Sequence, residues 1–162
     1  MGAASIITAD ELLSYLGASP VDPPLRTFLA KLGLSPKGPR LTDGFGHQPV
    51  PGLGVVLLFK AARHHPDIRA SQALTAESKV LSAVQFTAAG LAGGPPFCGE
   101  LPHGLKFSDS RDGTRARLGP PIWTSPHVNS DRWEYGPRFA TVDFSEDASC
   151  IRRVTVGLFW KL

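Results

Sequence analysis

Four groups of residues in this sequence are of types that do chemistry. Glu100 and His103 lie three positions apart, close enough for a carboxylate and an imidazole to pass a proton between them. His64 and His65 are adjacent, so on an extended chain they point to opposite faces and do not share a ligand. Cys98 and Cys150 stand far apart, with no C-x-x-C and no paired histidine motif beside either, which removes the spacing of a structural zinc site. The fourth group is cationic and aromatic: Arg111 and Arg115 one helical turn apart, then Trp123, Arg132, Trp133, Tyr135 and Trp160.

The first three groups do not assemble into a catalytic set. Pro102 and Gly104 flank His103 and place the Glu100–His103 pair in a turn. His64 and His65, followed by Pro66, read as exposed loop histidines. G-x-S-x-G and H-E-x-x-H are absent, and Gly52-Leu53-Gly54 precedes a strand instead of opening a helix, so it does not cradle a phosphate. With no acid, base and nucleophile together, the expectation is a non-enzymatic protein with no catalytic residue, no cofactor and no metal.

The fourth group suits binding. Tryptophan, tyrosine and arginine are enriched where a few residues carry most of an interface's energy. Trp123 falls in a Pro-, Ser- and Asn-containing loop and is expected to be exposed. On the strand that follows, Arg132 and Glu134 face opposite to Trp133, so Trp133 reads as core and Arg132 as outward, with Tyr135 on the side of Trp133. Arg111 and Arg115 would add a positive helix face. The candidate partner-binding residues are therefore Trp123, Arg132, Tyr135, Arg111 and Arg115.

Composition bounds the class. A chain of 162 residues with 42% hydrophobic and 19% charged residues has enough apolar side chain for a sizeable core. Its 17 glycines and 15 prolines predict many turns and few long helices. The net charge of +3 is spread evenly: residues 1–97 hold 8 Lys/Arg against 6 Asp/Glu, and residues 98–162 hold 9 against 8. Without a basic tail or patch, nucleic acid is not the expected partner. No basic, apolar leader opens the sequence and no apolar run suits a membrane span, so a cytoplasmic protein with reduced thiols is expected.

The elements that would position these residues can be read in order. Thr8-Ala9-Asp10-Glu11 has capping-box spacing and opens a helix of two to three turns that stops at Gly17. Asp22-Pro23-Pro24 opens a second, with Leu25, Phe28, Leu29 and Leu32 on one face and Gly33 at its end. Residues 35–54 are rich in proline and glycine and leave room for at most one edge strand. Strands are expected over 55–59 and 80–86, with a loop or irregular edge over 60–78 and a flexible link over 90–96. Ser108 and Asp109 then cap a short helix over 109–118 that ends in Gly119-Pro120-Pro121. Strands over 131–135, 138–144 and 151–160 follow.

Laid side by side, the halves repeat one plan. Ala30-Lys31-Leu32-Gly33 stands where Ala116-Arg117-Leu118-Gly119 stands later, and Phe59 ends a strand as Phe144 does. The expected fold is α+β: two degenerate helix–loop–helix and antiparallel-sheet repeats, 1–97 and 98–162, packed as one domain.

The second half resembles the small α+β unit of the SmpA/OmlA (BamE-like) proteins. The residues that carry this are the entry Gly104-Leu105-Lys106-Phe107-Ser108-Asp109-Ser110-Arg111, the helix end Leu118-Gly119-Pro120-Pro121, the aromatic strand with Trp133 and Tyr135, and the closing Val-rich strand. Tandem units of this kind resemble the β-lactamase inhibitor protein in topology. The run Leu101-Pro102-His103-Gly104-Leu105-Lys106-Phe107 with Asp131-Arg132-Trp133 also resembles the immunity proteins that accompany bacterial polymorphic toxins. This second resemblance implies neutralisation of a cognate toxin by direct binding; the first implies an assembly or scaffold module. No lipobox cysteine follows a signal peptide, so an outer-membrane lipoprotein role does not transfer. Neither family supplies a site motif whose residues carry over.

Overall fold

Capping decides where the helices begin. In the computed structural model, which describes residues 7–89 and 94–162, Thr8 Oγ1 accepts a hydrogen bond from the Glu11 amide at 3.1 Å and opens α1 (Ala9–Leu13). That helix is shorter than its pattern suggested. The chain continues in turns to Gly17, where φ is +87°. Two prolines start α2 (Pro23–Lys31), which buries Leu25, Phe28 and Leu29. Tyr15, in the turn after α1, stacks on Phe28 of α2 with ring centroids 4.2 Å apart.

The glycine-rich stretch that follows holds one strand, β1 (Phe45–Val50), at the sheet edge, where Pro49 forfeits no ladder bond that a central strand would need. Next come β2 (Val55–Ala61), α3 (Pro66–Ser71) and β3 (Lys79–Thr87). The expected loop over 60–78 is thus largely ordered: β2 runs on through Ala61, a tight turn takes Ala62–His64, and Pro66 sits at the start of α3. The expected link over 90–96 lies partly outside the described residues.

In the second half, α4 (Arg111–Leu118) is capped one position later than expected. Ser110 Oγ accepts from the Gly113 amide at 3.0 Å, whereas Asp109 Oδ2 accepts from the Lys106 amide and closes the preceding turn. Gly119, at φ +86°, stops the helix. Then follow β4 (Trp123–Thr124), β5 (Ser130–Tyr135), β6 (Arg138–Phe144) and β7 (Ile151–Leu158). Trp123 belongs to this short strand rather than to a loop.

The seven strands among the described residues form one antiparallel sheet in the order β1-β2-β3-β7-β6-β5-β4. Two meanders, β1-β2-β3 and β4-β5-β6-β7, meet where β3 pairs with β7. The register shifts once within each, at Leu58/Phe59 on β2 and at Asp143/Phe144 on β6. With its helices on an antiparallel sheet, the chain is α+β.

Period-two alternation gives the sheet two unlike faces. Leu57, Phe59, Val84, Phe86, Val142 and Val154 join the helices in one apolar core with Leu12, Leu25 and Leu29. The alternate positions, among them Val56, Lys60, Ala83 and Thr155, lie outside that core although little of their surface is exposed.

Candidate functional site

Pairing register places the binding candidates on particular faces, because directly opposed residues share a side of the sheet. Arg132 on β5 opposes Trp123 on β4 and Thr141 on β6; Phe139 on β6 opposes Glu134 and Gly157. All of these lie on the face away from the helical core.

Two cations there rest on aromatic rings. The Arg132 guanidinium carbon lies 4.2 Å from the Phe139 ring centroid and 5.8 Å from that of Phe159. Gly157 makes this possible: a Cβ at that position would come within 2.9 Å of Phe139 Cζ and 2.8 Å of Ala83 Cβ. The second cation is Lys60 on β2, whose Nζ lies 4.8 Å from Trp160 and 5.6 Å from Phe45. Consecutive residues Phe159 and Trp160 therefore complete one unit each.

The segment that carries them is tied down by His64. The Lys161 amide donates to the His64 carbonyl at 2.9 Å, and His64 Nδ1 lies 2.7 Å from the Lys161 carbonyl oxygen. Its neighbour His65 is also buried, with Nε2 2.9 Å from Ser82 Oγ, and Lys60 Nζ donates to the same oxygen at 3.3 Å. An ammonium only donates, so Ser82 accepts from Lys60 and offers its own proton to His65. Burial lowers the Lys60 ammonium below its ordinary range. Burial, and then the nearby Lys60 charge, lower His65 to about 4. The expectation of two exposed loop histidines is thus corrected, because the turn after β2 folds both rings inward against Ser82 and the chain end.

Of the five candidates, Trp123 and Arg132 are neighbours on this face, and Trp123 is 51% exposed. The other three lie across the sheet. Tyr135 shares the side of Trp133 and stacks on His103 at 4.3 Å; its hydroxyl is buried without a hydrogen-bond partner among the described residues. Burial pushes the Tyr135 phenol up and the His103 imidazole down. His103 itself sits at φ +61° in the expected turn.

Arg111 and Arg115 converge on Asp131, which has no exposed surface. The carboxylate accepts from Arg111 (2.7 and 3.2 Å), from Arg115 (2.8 and 2.9 Å) and from the Thr124 hydroxyl (3.0 Å). Burial works to raise the Asp131 carboxyl, but these bonds outweigh it and hold the group well below the usual carboxylate range. The Arg111 and Arg115 guanidiniums thus serve to dock α4 on β5. Through Thr124 the same carboxylate also fixes β4, and with it Trp123.

Sequence reasoning missed Lys60, Phe139 and Phe159 as parts of this face, and it named Trp160 without placing it there. Register was the missing information: Lys60 and Arg132 are remote in sequence, and the antiparallel pairing of β3 with β7 puts them on one surface. Among the described residues, no group of three or more His, Cys, Asp or Glu side chains gathers to hold a metal ion. No described helix is long and apolar enough to cross a membrane. Comparison with protein-family models, with curated proteins and with solved structures found no match.

Proposed function

We propose that this chain is a non-enzymatic binding protein, an immunity protein that neutralises a cognate toxin in the cytoplasm by covering it with the outer face of the sheet. The observation that carries the reading is the pair of cation–aromatic units beside an exposed tryptophan, all on the face turned away from the helical core. Aromatic and arginine side chains held in place by the fold lose little freedom on binding, so more of their contact energy remains as affinity. An enzyme fits less well. Among the described residues the serine hydroxyl bonded to a histidine ring is that of Ser82, which is 1% exposed and so out of a substrate's reach.

The architecture we assign to this role is a degenerate duplication of one α+β unit. What supports it is that each meander shifts register beside a buried phenylalanine, Phe59 in one and Phe144 in the other. Two such units side by side would give a binding face wider than either alone. The deciding experiment is co-expression with the product of the adjacent gene. A toxin-like neighbour that co-purifies with the chain, and whose toxicity the chain abolishes, supports the reading. Failure of the two products to associate removes the immunity role.

A further inference from the structure

We infer that the surface this face accepts is acidic: an exposed protein segment that presents Asp or Glu carboxylates next to an apolar side chain. The inference rests on the binding reading above and adds the chemistry of the partner. It begins with Arg132. Its guanidinium carbon lies 4.2 Å from the Phe139 ring centroid, so a ring covers one side of the group and its N–H donors remain for a ligand. Among the described residues one carboxylate, Glu134, lies within ion-pair distance, at 3.8 Å from Nε and beyond hydrogen-bond range, and the guanidinium makes no hydrogen bond to another described residue. A flat, pre-positioned fork with unused donors is the geometry that receives a carboxylate through two parallel bonds.

Lys60 adds charge from beneath. It has no carboxylate within ion-pair distance among the described residues, and it sits under Trp160, where water screens it poorly. On the neighbouring strands Arg153 is matched, donating to Asp143 at 2.8 Å. Arg132 has one carboxylate, Glu134, within ion-pair distance and Lys60 has none, so the two cations exceed the one anion beside them. Complementarity then calls for negative charge opposite them, with Trp123, Phe159 and Trp160 supplying apolar contact around it.

Single-stranded nucleic acid is the competing polyanion, and the same geometry disfavours it. Such strands need free aromatic faces for their bases and a track of unpaired cations for their phosphates. Here Glu134 and Asp143 stand on the same side of the sheet and interrupt any track of cations, and Arg153 is already held by Asp143.

The test titrates the full-length chain with a random glutamate–tyrosine copolymer, with oligothymidylate and with poly-L-lysine, reading tryptophan fluorescence at low and at physiological salt. The expected result is saturable binding of the acidic copolymer that weakens with salt, and no binding of polylysine. Arg132→Ala should weaken copolymer binding about tenfold or more, with Arg132→Lys between the two because it keeps the charge and loses the fork. A thermal melt on each variant checks that the fold is intact. Tighter binding of oligothymidylate, or an Arg132→Ala affinity equal to that of the parent, overturns the inference. Capture of the co-expressed toxin is measured on the same variants. A toxin held equally by the parent and by Arg132→Ala leaves the binding function standing while the acidic-partner inference falls. If the toxin and the copolymer both fail to bind, both readings fall.

Discussion

Arg111 on α4 and Asp131 on β5 meet with Nη2 2.7 Å from Oδ1, and no surface of the aspartate remains exposed. Arg111 also donates to Asn129 Oδ1 at 3.0 Å, and Asn129 in turn donates to the Ser145 and Glu146 carbonyls. One arginine thus links a helix, a strand and the hairpin between β6 and β7. Breaking a buried pair by removing one partner leaves a charge without its counter-charge, which is more damaging than losing an exposed ion pair. Arg111→Ala should therefore destabilise the fold by about 3 kcal/mol. Urea unfolding would measure it, and a loss below about 1 kcal/mol would mean that Arg115 alone satisfies the carboxylate.

The same carboxylate makes acid the weak side of the fold. Its pKa is lowered in the folded state, so its contribution is fully present above the unfolded carboxyl value of about 4 and is lost as pH falls through the lower folded value. His65 acts in the window above. Its folded pKa is near 4 against an ordinary 6.5, so the unfolded chain binds the proton first. Stability from His65 is complete above about pH 6.5 and declines from there toward pH 4, by up to roughly 3 kcal/mol. Denaturation midpoints for the parent and for His65→Gln across that range should converge as pH falls. Parallel curves would show that the imidazole does not titrate with folding.

Gly157 tests how the outer face is built. An added Cβ must displace either the Phe139 ring or Ala83. Gly157→Ala should cost about 1–3 kcal/mol, as overpacking does. If it is the ring that moves, partner affinity should fall further than stability alone explains, since Arg132 loses the surface it rests on. A melting curve with calorimetric binding on the same variant separates the two effects; an unchanged melt would show that the contact is looser than its geometry implies.

Trp123 and Arg132 are the residues expected to dominate recognition. Alanine at either position should weaken toxin binding by about 2 kcal/mol or more. Thermal stability should change little for Trp123→Ala, because half of that side chain is already in solvent. Titration calorimetry with the partner decides the matter. Unchanged affinity for both variants would move the interface elsewhere, and a large drop in melting temperature would make Trp123 a structural residue.

How much of this was present in the sequence depends on the range over which each feature is determined. Thr8, Pro23, Gly33 and Gly119 marked helix ends correctly because capping and left-handed stops involve only a few neighbouring residues, whereas the first helix stopped at Leu13, short of Gly17. The alternation around Trp133 correctly gave a buried indole beside an outward Arg132, since period-two order is intrinsic to a strand. Local pattern failed where a distant partner decides. His64 and His65 look like loop residues by composition, yet Ser82 and the chain end bury them. Arg111 and Arg115 read as a positive helix face offered to a partner, yet Asp131 engages both. Lys60 and Trp160 carry no mutual signal at all, because what joins them is the antiparallel pairing of β3 with β7. Helix ends and strand faces follow from the order of residues, whereas the composition of the outer face depends on which strands become neighbours, and the whole core decides that together.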